Sequence, residues 1–541
     1  MKRRRPGRTG PEIAFPCARA MRSDAARQRG LPGARGLPRD APAPGPVSFL
    51  APTTPGGGLF LPVCGLDPQT GPFGGGPGPW SPEAVARRLR PQFDGRLHLP
   101  GGAGYEAGRS AWRRDVDQQP LLVAEVTDAA DVARAVITAR EFEVPVGVQA
   151  TGHGTVRPTD DGVLLNLARL TYVEIDPERA TARVGGGARW GDVIAAAARY
   201  GLAPISGSSS QVGVAGYTLG GGLGWLSRRY GFAADSLLRA EVVTAAGNRL
   251  VAGPDHDVDL WWALRGGGGN FGVVTELLLR LYPVTEVYGG LAYFPAERAG
   301  DILAYHRDHA ADLPDEFSSV LSLLRLPDLP ATPEPLRGRP VLSLRVCHTG
   351  SPDQGRRALA PLLAVAGPPL LGGYRQLAWP ATDLLDGPQP SPQILQAHTD
   401  LLQGLSDELI EVLLAEIHGT DRTSPDESPV TVIELRHVGG ALTRPGPDDG
   451  PAGHRDATYA LLAVAPDLRP TDVPAARGYL ASFARRVRPY ATGGVLLNFL
   501  TDPSRTAAAY RPADLGRLTA LKRVYDPENI FHRNHNIPPG H

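Results

Sequence analysis

The sequence predicts an α+β protein: one half mixes helices, strands and tight hairpins, and the other is an antiparallel sheet with helices on one face. Three observations carry that reading. From about residue 80 onward, apolar runs of strand length alternate with segments of helical period. Tight turns such as Gly247-Asn248 join some of those runs directly. Past Pro283-Val284 the strand-like runs lengthen and keep alternating with helical segments, which marks a boundary.

Order begins near Trp80. Residues 1–80 are rich in Arg, Pro and Gly and lack periodicity, so they bury too little apolar surface to offset their ordering entropy. No apolar stretch follows Arg3-Arg4-Arg5, so the expectation is a dispensable, disordered extension without a signal peptide. A helix opens at Asp128, the expected N-cap, with Val132, Val136 and Ala139 at helical spacing. Residues 144–148 and 162–167 read as two short strands around a small-residue turn. Residues 173–175 and 182–184 pair as a hairpin, and Gly185-Gly186-Gly187 leads into a helix that stops at Gly201. Residues 238–245 and 249–251 form a second hairpin, 257–264 a helix and 272–281 a long apolar strand. In the second half the expected strands are 317–324, 341–347, 430–435 and 457–464, with helices at 352–365 and 474–487. A final helix over 514–524 is stopped by Pro527.

Composition narrows the function. Basic and acidic residues balance at 56 each, so no global field selects nucleic acid or an anionic membrane. Nothing reaches the roughly 18 apolar residues that a membrane span needs; no membrane partner is expected and the location expected is cytoplasmic. Cys17, Cys64 and Cys347 are too few and scattered for a disulfide framework or zinc site, and no metal is expected. Lys2 and Lys522 are the only lysines. Lys2 lies in the low-complexity extension and Lys522 in an apparent helix with no Gly-rich loop before it, which argues against Walker-type and Schiff-base chemistry.

Three small-residue clusters stand out. The first is Gln149-Ala150-Thr151-Gly152-His153-Gly154-Thr155, between two strands, where clustered backbone N–H groups suit a pyrophosphate. The second runs from Gly207-Ser208-Ser209 through Val212-Gly213-Val214, Gly216-Tyr217 and Gly220-Gly221-Gly222 to Gly224. The third ends in Gly272-Val273-Val274. In that order they resemble the FAD-binding (PCMH-type) domain of the vanillyl-alcohol oxidase and p-cresol methylhydroxylase superfamily. The ending from Tyr525 through Asn534 and Asn536 to Pro539 is similar to that of its berberine-bridge-enzyme-like branch. The resemblance spans Tyr105 to Pro539.

The resemblance implies a two-lobed FAD-binding domain at 81–284, a substrate domain at 285–490, and a segment at 491–541 that returns to the flavin. It implies FAD bound by the residues just named, with a histidine at the place of His153 joined covalently to the flavin. The usual run is Arg-x-Gly-Gly-His, so Gln149 and Thr151 are departures. A second link, from cysteine in relatives, falls on Ser209, which cannot supply a comparable anion. Val212 matches a position beside the flavin's oxygen-reactive carbon, and Tyr217 one near its pyrimidine end. Where the branch has a catalytic glutamate, this chain has Ala463 and Val464. Tyr217 is a candidate catalytic group as a donor that stabilises the reduced flavin's negative charge, the alternative being that it only packs. The candidate proton acceptors are His437, Tyr459 and Tyr510, the last two if their pKa values are lowered. The function implied is an FAD-dependent oxidase of a small alcohol, amine or phenolic compound, with O2 as acceptor and H2O2 as product. The alternatives are a dehydrogenase of the same fold and a flavin-holding protein without turnover.

Overall fold

The computed structural model describes residues 81–387, 390–418, 429–446 and 449–540, so the expected extension at 1–80 lies outside the described residues. Three sheets organise them, and the fold is α+β. The first contains β1 (Arg96–His98), β2 (Leu122–Glu125), β3 (Val146–Gln149) and β4 (Val163–Asn166), in the order β1-β2-β4-β3. β4 runs parallel to both its neighbours. The helix Ala129–Glu141 lays Val132, Ala135, Val136 and Ala139 on this sheet. It starts where expected, with the Asp128 carboxylate accepting from the Asp131 N–H at 2.8 Å.

The second sheet holds β5 (Val173–Asp176), β6 (Thr181–Gly185), β7 (Leu237–Val243), β8 (Arg249–Ala252) and β9 (Val273–Arg280), ordered β5-β6-β9-β7-β8. Both expected hairpins are there, β5 with β6 and β7 with β8. The helices Trp190–Ala198 and Val258–Leu264 bury Trp190, Val193, Leu260 and Trp262 in its core.

The third sheet has seven antiparallel strands: β10 (Glu286–Pro295), β11 (Phe317–Arg325), β12 (Pro340–His348), β13 (Leu371–Ala378), β14 (Gln396–Leu402), β15 (Val432–His437) and β16 (Tyr459–Ala465). Their order is β13-β10-β12-β11-β15-β16-β14. Four helices, Ala299–His309, Pro352–Ala366, Asp407–His418 and Val473–Val487, cover one face. Strand alternation then sorts the side chains. On β15, Ile433 and Leu435 join the helix-covered core, and His437 packs against His306 of the helix 299–309. Glu434 and Arg436 therefore stand on the opposite face.

The chain closes through a buried lysine. On the last helix, Pro512–Tyr525, Lys522 Nζ donates to Asp526 Oδ2 (2.6 Å), the Asn270 carbonyl (2.8 Å) and the Phe531 carbonyl (3.2 Å). Asp526 in turn accepts from the N–H groups of Ile530 and Phe531 at 2.9 and 3.0 Å. This knot holds the final turn where the Ile530 carbonyl accepts from Val146 N and Asn534 Oδ1 from Val156 N, at 3.1 and 3.3 Å.

Candidate functional site

The end of β3, the start of β9, the segment 207–220 and the final turn surround one elongated cleft of about 350 Å³. Gln149, Ala150, Thr151, Gly152, His153, Gly154 and Thr155 all line it. So do Gly207, Ser208, Ser209, Val212, Gly213, Gly216, Tyr217, Gly220, Gly272, Val273, Val274 and Asn534.

The loop that carries His153 is tightly fixed. Gly152 has φ +74°, and a Cβ there would come within 2.6 Å of the Ala111 backbone. Trp112 N–H donates to the Thr151 carbonyl at 3.2 Å, and its indole stacks on the His153 ring with centroids 4.8 Å apart. Thr151 Oγ1 accepts from Gly213 N–H at 3.3 Å and lies 2.9 Å from His153 Nδ1. Thr151, where the resemblance has glycine, thus ties the first cluster to the second. Burial, and then the nearby Arg189 charge, push the His153 pKa down to about 4. Its imidazole is neutral at neutral pH.

The Gln149 amide is tied to its neighbours. Its side chain donates to the Ser110 carbonyl (3.1 Å) and accepts from Gln118 (2.8 Å). Arg157 and Arg533 line the cleft, and the expected residue set lacked both. Arg533 Nη2 donates to the Asp160 carbonyl at 2.9 Å, which fixes it beside the His153 loop. Asn270 was also missed. It donates to the His535 carbonyl at 2.9 Å and accepts from Ile537 N–H at 2.9 Å, joining the third cluster to the final turn.

Several expected residues do not reach the cleft. Val214 is fully buried in the second sheet's core. Gly221, Gly222 and Gly224 lie behind the wall, and packing explains two of them: a Cβ on Gly222 or Gly224 would approach the Tyr217 ring or hydroxyl to 2.6 or 3.0 Å. Asn536 is also outside the lining, with its Oδ1 buried and unpartnered. Tyr217 lines the cleft, yet its hydroxyl is buried among these glycines with no hydrogen-bond partner, and burial raises its pKa.

The candidate bases are corrected outright. Tyr459 is buried in the helix-covered core, with its hydroxyl 2.8 Å from His306 Nδ1. His437 faces the same core, with Nε2 3.0 Å from Arg228 Nη1. Tyr510 is buried and donates to the Gly266 carbonyl at 3.2 Å. None lines the cleft. Burial raises both tyrosine pKa values and, before the Arg228 charge, lowers that of His437. The condition set for the tyrosines, a lowered pKa, fails.

Arg436, one residue before His437, is the side chain from the third sheet that reaches the cleft. Its Nε donates to Glu434 Oε1, and its guanidinium lies 5.3 Å from the Phe499 ring centroid. Glu434 also accepts from Arg345, which pairs with Asp386 at 2.6 Å. Burial works to raise the Glu434 pKa, but the two arginines outweigh it and hold it at about 2. Glu434 is therefore a fixed anion and not a base. No carboxylate lines the cleft among the described residues.

Residues 120–253 match the family described as an FAD binding domain, and residues 495–538 match that described as berberine and berberine like. The crystal structure of 6-hydroxy-D-nicotine oxidase from Arthrobacter nicotinovorans superposes with a TM-score of 0.73 at 27% identity, over 83% of this chain and 98% of that one. In both matched regions and in fold this chain resembles the berberine-bridge-enzyme-like flavoproteins. It is an FAD-linked oxidoreductase by family. In sequence it is 29% identical to (R)-6-hydroxynicotine oxidase of Paenarthrobacter nicotinovorans, over 83% of this chain and 97% of that protein. It is 28% identical to an FAD-linked oxidoreductase of Dictyostelium discoideum, over 83% and 95%. A Physcomitrella patens berberine-bridge-enzyme-like protein shares the fold, with TM-score 0.74 at 23% identity over 84% and 99%. Among the described residues, no helix of this flavoprotein is long and apolar enough to cross a membrane.

The residues present fit FAD. A Cβ on Gly154, Gly216 or Gly269 would meet no protein atom within 4 Å, so their backbone is presented to open cleft rather than to packing. Two guanidinium-bearing side chains and a neutral imidazole share that wall, a donor set suited to a pyrophosphate joined to a flavin.

Proposed function

We propose that this flavoprotein is an oxidase that removes two hydrogens from a C–N or C–OH unit of a small molecule. The observation that carries the reading is the make-up of the cleft: open glycine backbone, Arg157, Arg533 and neutral His153 on one side, Arg436 and Phe499 on the other, and no carboxylate among the described lining residues. Bound FAD supplies a two-electron acceptor, and dioxygen returns it to the oxidised form with release of hydrogen peroxide. The glycine clusters, Arg157, Arg533 and Asn534 hold the cofactor in this reading. His153 attaches it by one covalent bond, with the Trp112 stack and Thr151 fixing the imidazole plane. Ser209 makes no second link, and the Cys347 thiol, raised in pKa by burial, stands on the third sheet. Val212 borders the path for dioxygen. The protein's domains follow the same division, with cofactor on 81–284 and 491–541, and substrate met by 285–490.

Without a carboxylate base, the cleft favours an amine, whose neutral form surrenders a hydride unaided. That choice also suits the hydroxynicotine oxidases among the relatives. An anaerobic screen of the purified yellow protein against amines, alcohols and phenols tests it. Flavin bleaching by an amine, then peroxide formation on admitting air, is the expected result. Bleaching that transfers electrons to a dye but yields no peroxide would make it a dehydrogenase. Failure of every class to bleach the flavin would favour a protein that only holds it.

A further inference from the structure

We propose that Arg436 is a docking point for an oxyanion on the substrate, so that the molecule oxidised carries a carboxylate or an equally acidic planar group. The inference rests on the oxidase reading above and names a feature of its substrate. Arg436 reaches the cleft from β15 with its Nε committed to Glu434 and its plane beside Phe499. Among the described residues, neither terminal nitrogen has a hydrogen-bond partner. A guanidinium held at Nε presents those two nitrogens as a parallel pair of donors, the geometry that a carboxylate accepts in bidentate fashion.

The support behind it is built rather than incidental. Glu434 is shared with Arg345, Arg345 pairs with Asp386 at 2.6 Å and with Ser322 at 2.8 Å, and Asp386 accepts from the Trp225 indole at 2.9 Å. This chain crosses β15, β11 and β12 and ends on Trp225, which belongs to the core of the second sheet. Two arginines and two carboxylates cancel, so the network stays neutral and needs no counter-ion of its own. What it achieves is orientation of Arg436, the guanidinium of this network that opens on the cleft. Arg157 and Arg533 belong to the His153 loop and the final turn; Arg436 belongs to the other sheet, on which the substrate is placed.

Two anions could use this fork, a substrate carboxylate or a phosphate of the cofactor, and one titration separates them. The holoprotein is titrated with benzoate and with uncharged benzamide while its flavin absorbance spectrum is followed. Benzoate should perturb the spectrum and bind about tenfold or more tightly than benzamide. Arg436→Lys, which keeps the charge but loses the fork, should weaken benzoate several-fold. Arg436→Gln combined with Glu434→Gln removes one charge of each sign, so no carboxylate is stranded. That protein should lose the preference for benzoate while keeping its flavin content and melting temperature. Equal binding of the two probes to the parent protein overturns the proposal. So does an undiminished preference for benzoate in the folded double variant. Loss of flavin from that variant, with no benzoate preference in the parent, would assign Arg436 to the cofactor and equally overturn it. Because benzoate binding needs no turnover, these outcomes stand apart from failure of the oxidase reading.

Discussion

Tyr217 occupies space that glycines leave for it. A Cβ on Gly207 would lie 2.9 Å from its Cε2, and one on Gly222 would lie 2.6 Å from its Cε1. Gly207→Ala should therefore cost about 1–3 kcal/mol through overpacking. Most of that loss should vanish in a Tyr217→Leu background, and chemical denaturation of the four proteins of the cycle measures the coupling. Additive losses would mean that the glycine answers to something else. Tyr217→Phe removes a buried hydroxyl without a partner, so it should leave flavin absorbance unchanged and raise stability by about 1 kcal/mol. A shifted flavin spectrum would place that hydroxyl on the cofactor after all. For His153, denaturation in acid should leave the yellow colour with the precipitated protein, and His153→Ala should release it. Colour that washes from the parent protein would refute the covalent bond. At this scale the sequence read well where backbone made the site, since the His153 loop lies where the glycine pattern put it. It misled where packing produced the same pattern, as at Gly222 and Gly224. His437 drew attention while its neighbour Arg436 faces the cleft. The alternation Ile433-Glu434-Leu435-Arg436 marks the two faces of β15; it fails at His437, a polar side chain on the helix-covered face.

Elements were legible in proportion to their apolar regularity. The strand from Val273 to Arg280 stands within a residue of its expected bounds, and the helix from Ala129 to Glu141 starts at its expected N-cap. β10, β13 and β14 went unread. The first two contain Gly289-Gly290 and Gly372-Gly373, and β14 carries Gln396, His398 and Asp400, so none shows the β-branched run that marks a strand. The glycines serve close strand approach: a Cβ on Gly289 would stand 2.2 Å from the Val346 carbonyl oxygen. The last helix makes the sharpest prediction at this scale. Lys522→Met strands Asp526 as a buried anion and should cost about 3–5 kcal/mol. It should also loosen flavin retention, because the final turn hangs on that pair. Lys522→Met with Asp526→Asn should recover part of the stability, as judged by urea midpoints. A single variant as stable as the parent would show that the turn is held by its backbone alone.

For the whole molecule, buried histidines set the response to acid. Burial above all lowers the pKa of His153 and His535 to about 4 and that of His306 to about 3, each from an ordinary 6.5. Each imidazole is thus harder to protonate folded than unfolded. Below pH 6.5 the unfolded chain binds more protons, so stability should fall as pH drops from there toward about 4. Glu434, held at about 2 against an ordinary 4.5, adds a further loss that begins only below 4.5. Melting temperatures recorded from neutral to acid pH should decline in those two stages. A flat profile between about pH 7 and pH 4.5 would remove the histidines from the account.

The knot at Lys522 also changes how the protein meets reagents. Its ammonium is completely enclosed, and the only other lysine in the chain is Lys2. A folded protein without Lys2 offers amine-directed dyes, fixatives and coupled supports no accessible side-chain amine, leaving the chain's own amino terminus as the exposed amine. Uptake of such a dye at Lys522, read by peptide mass, would then time the opening of the final helix.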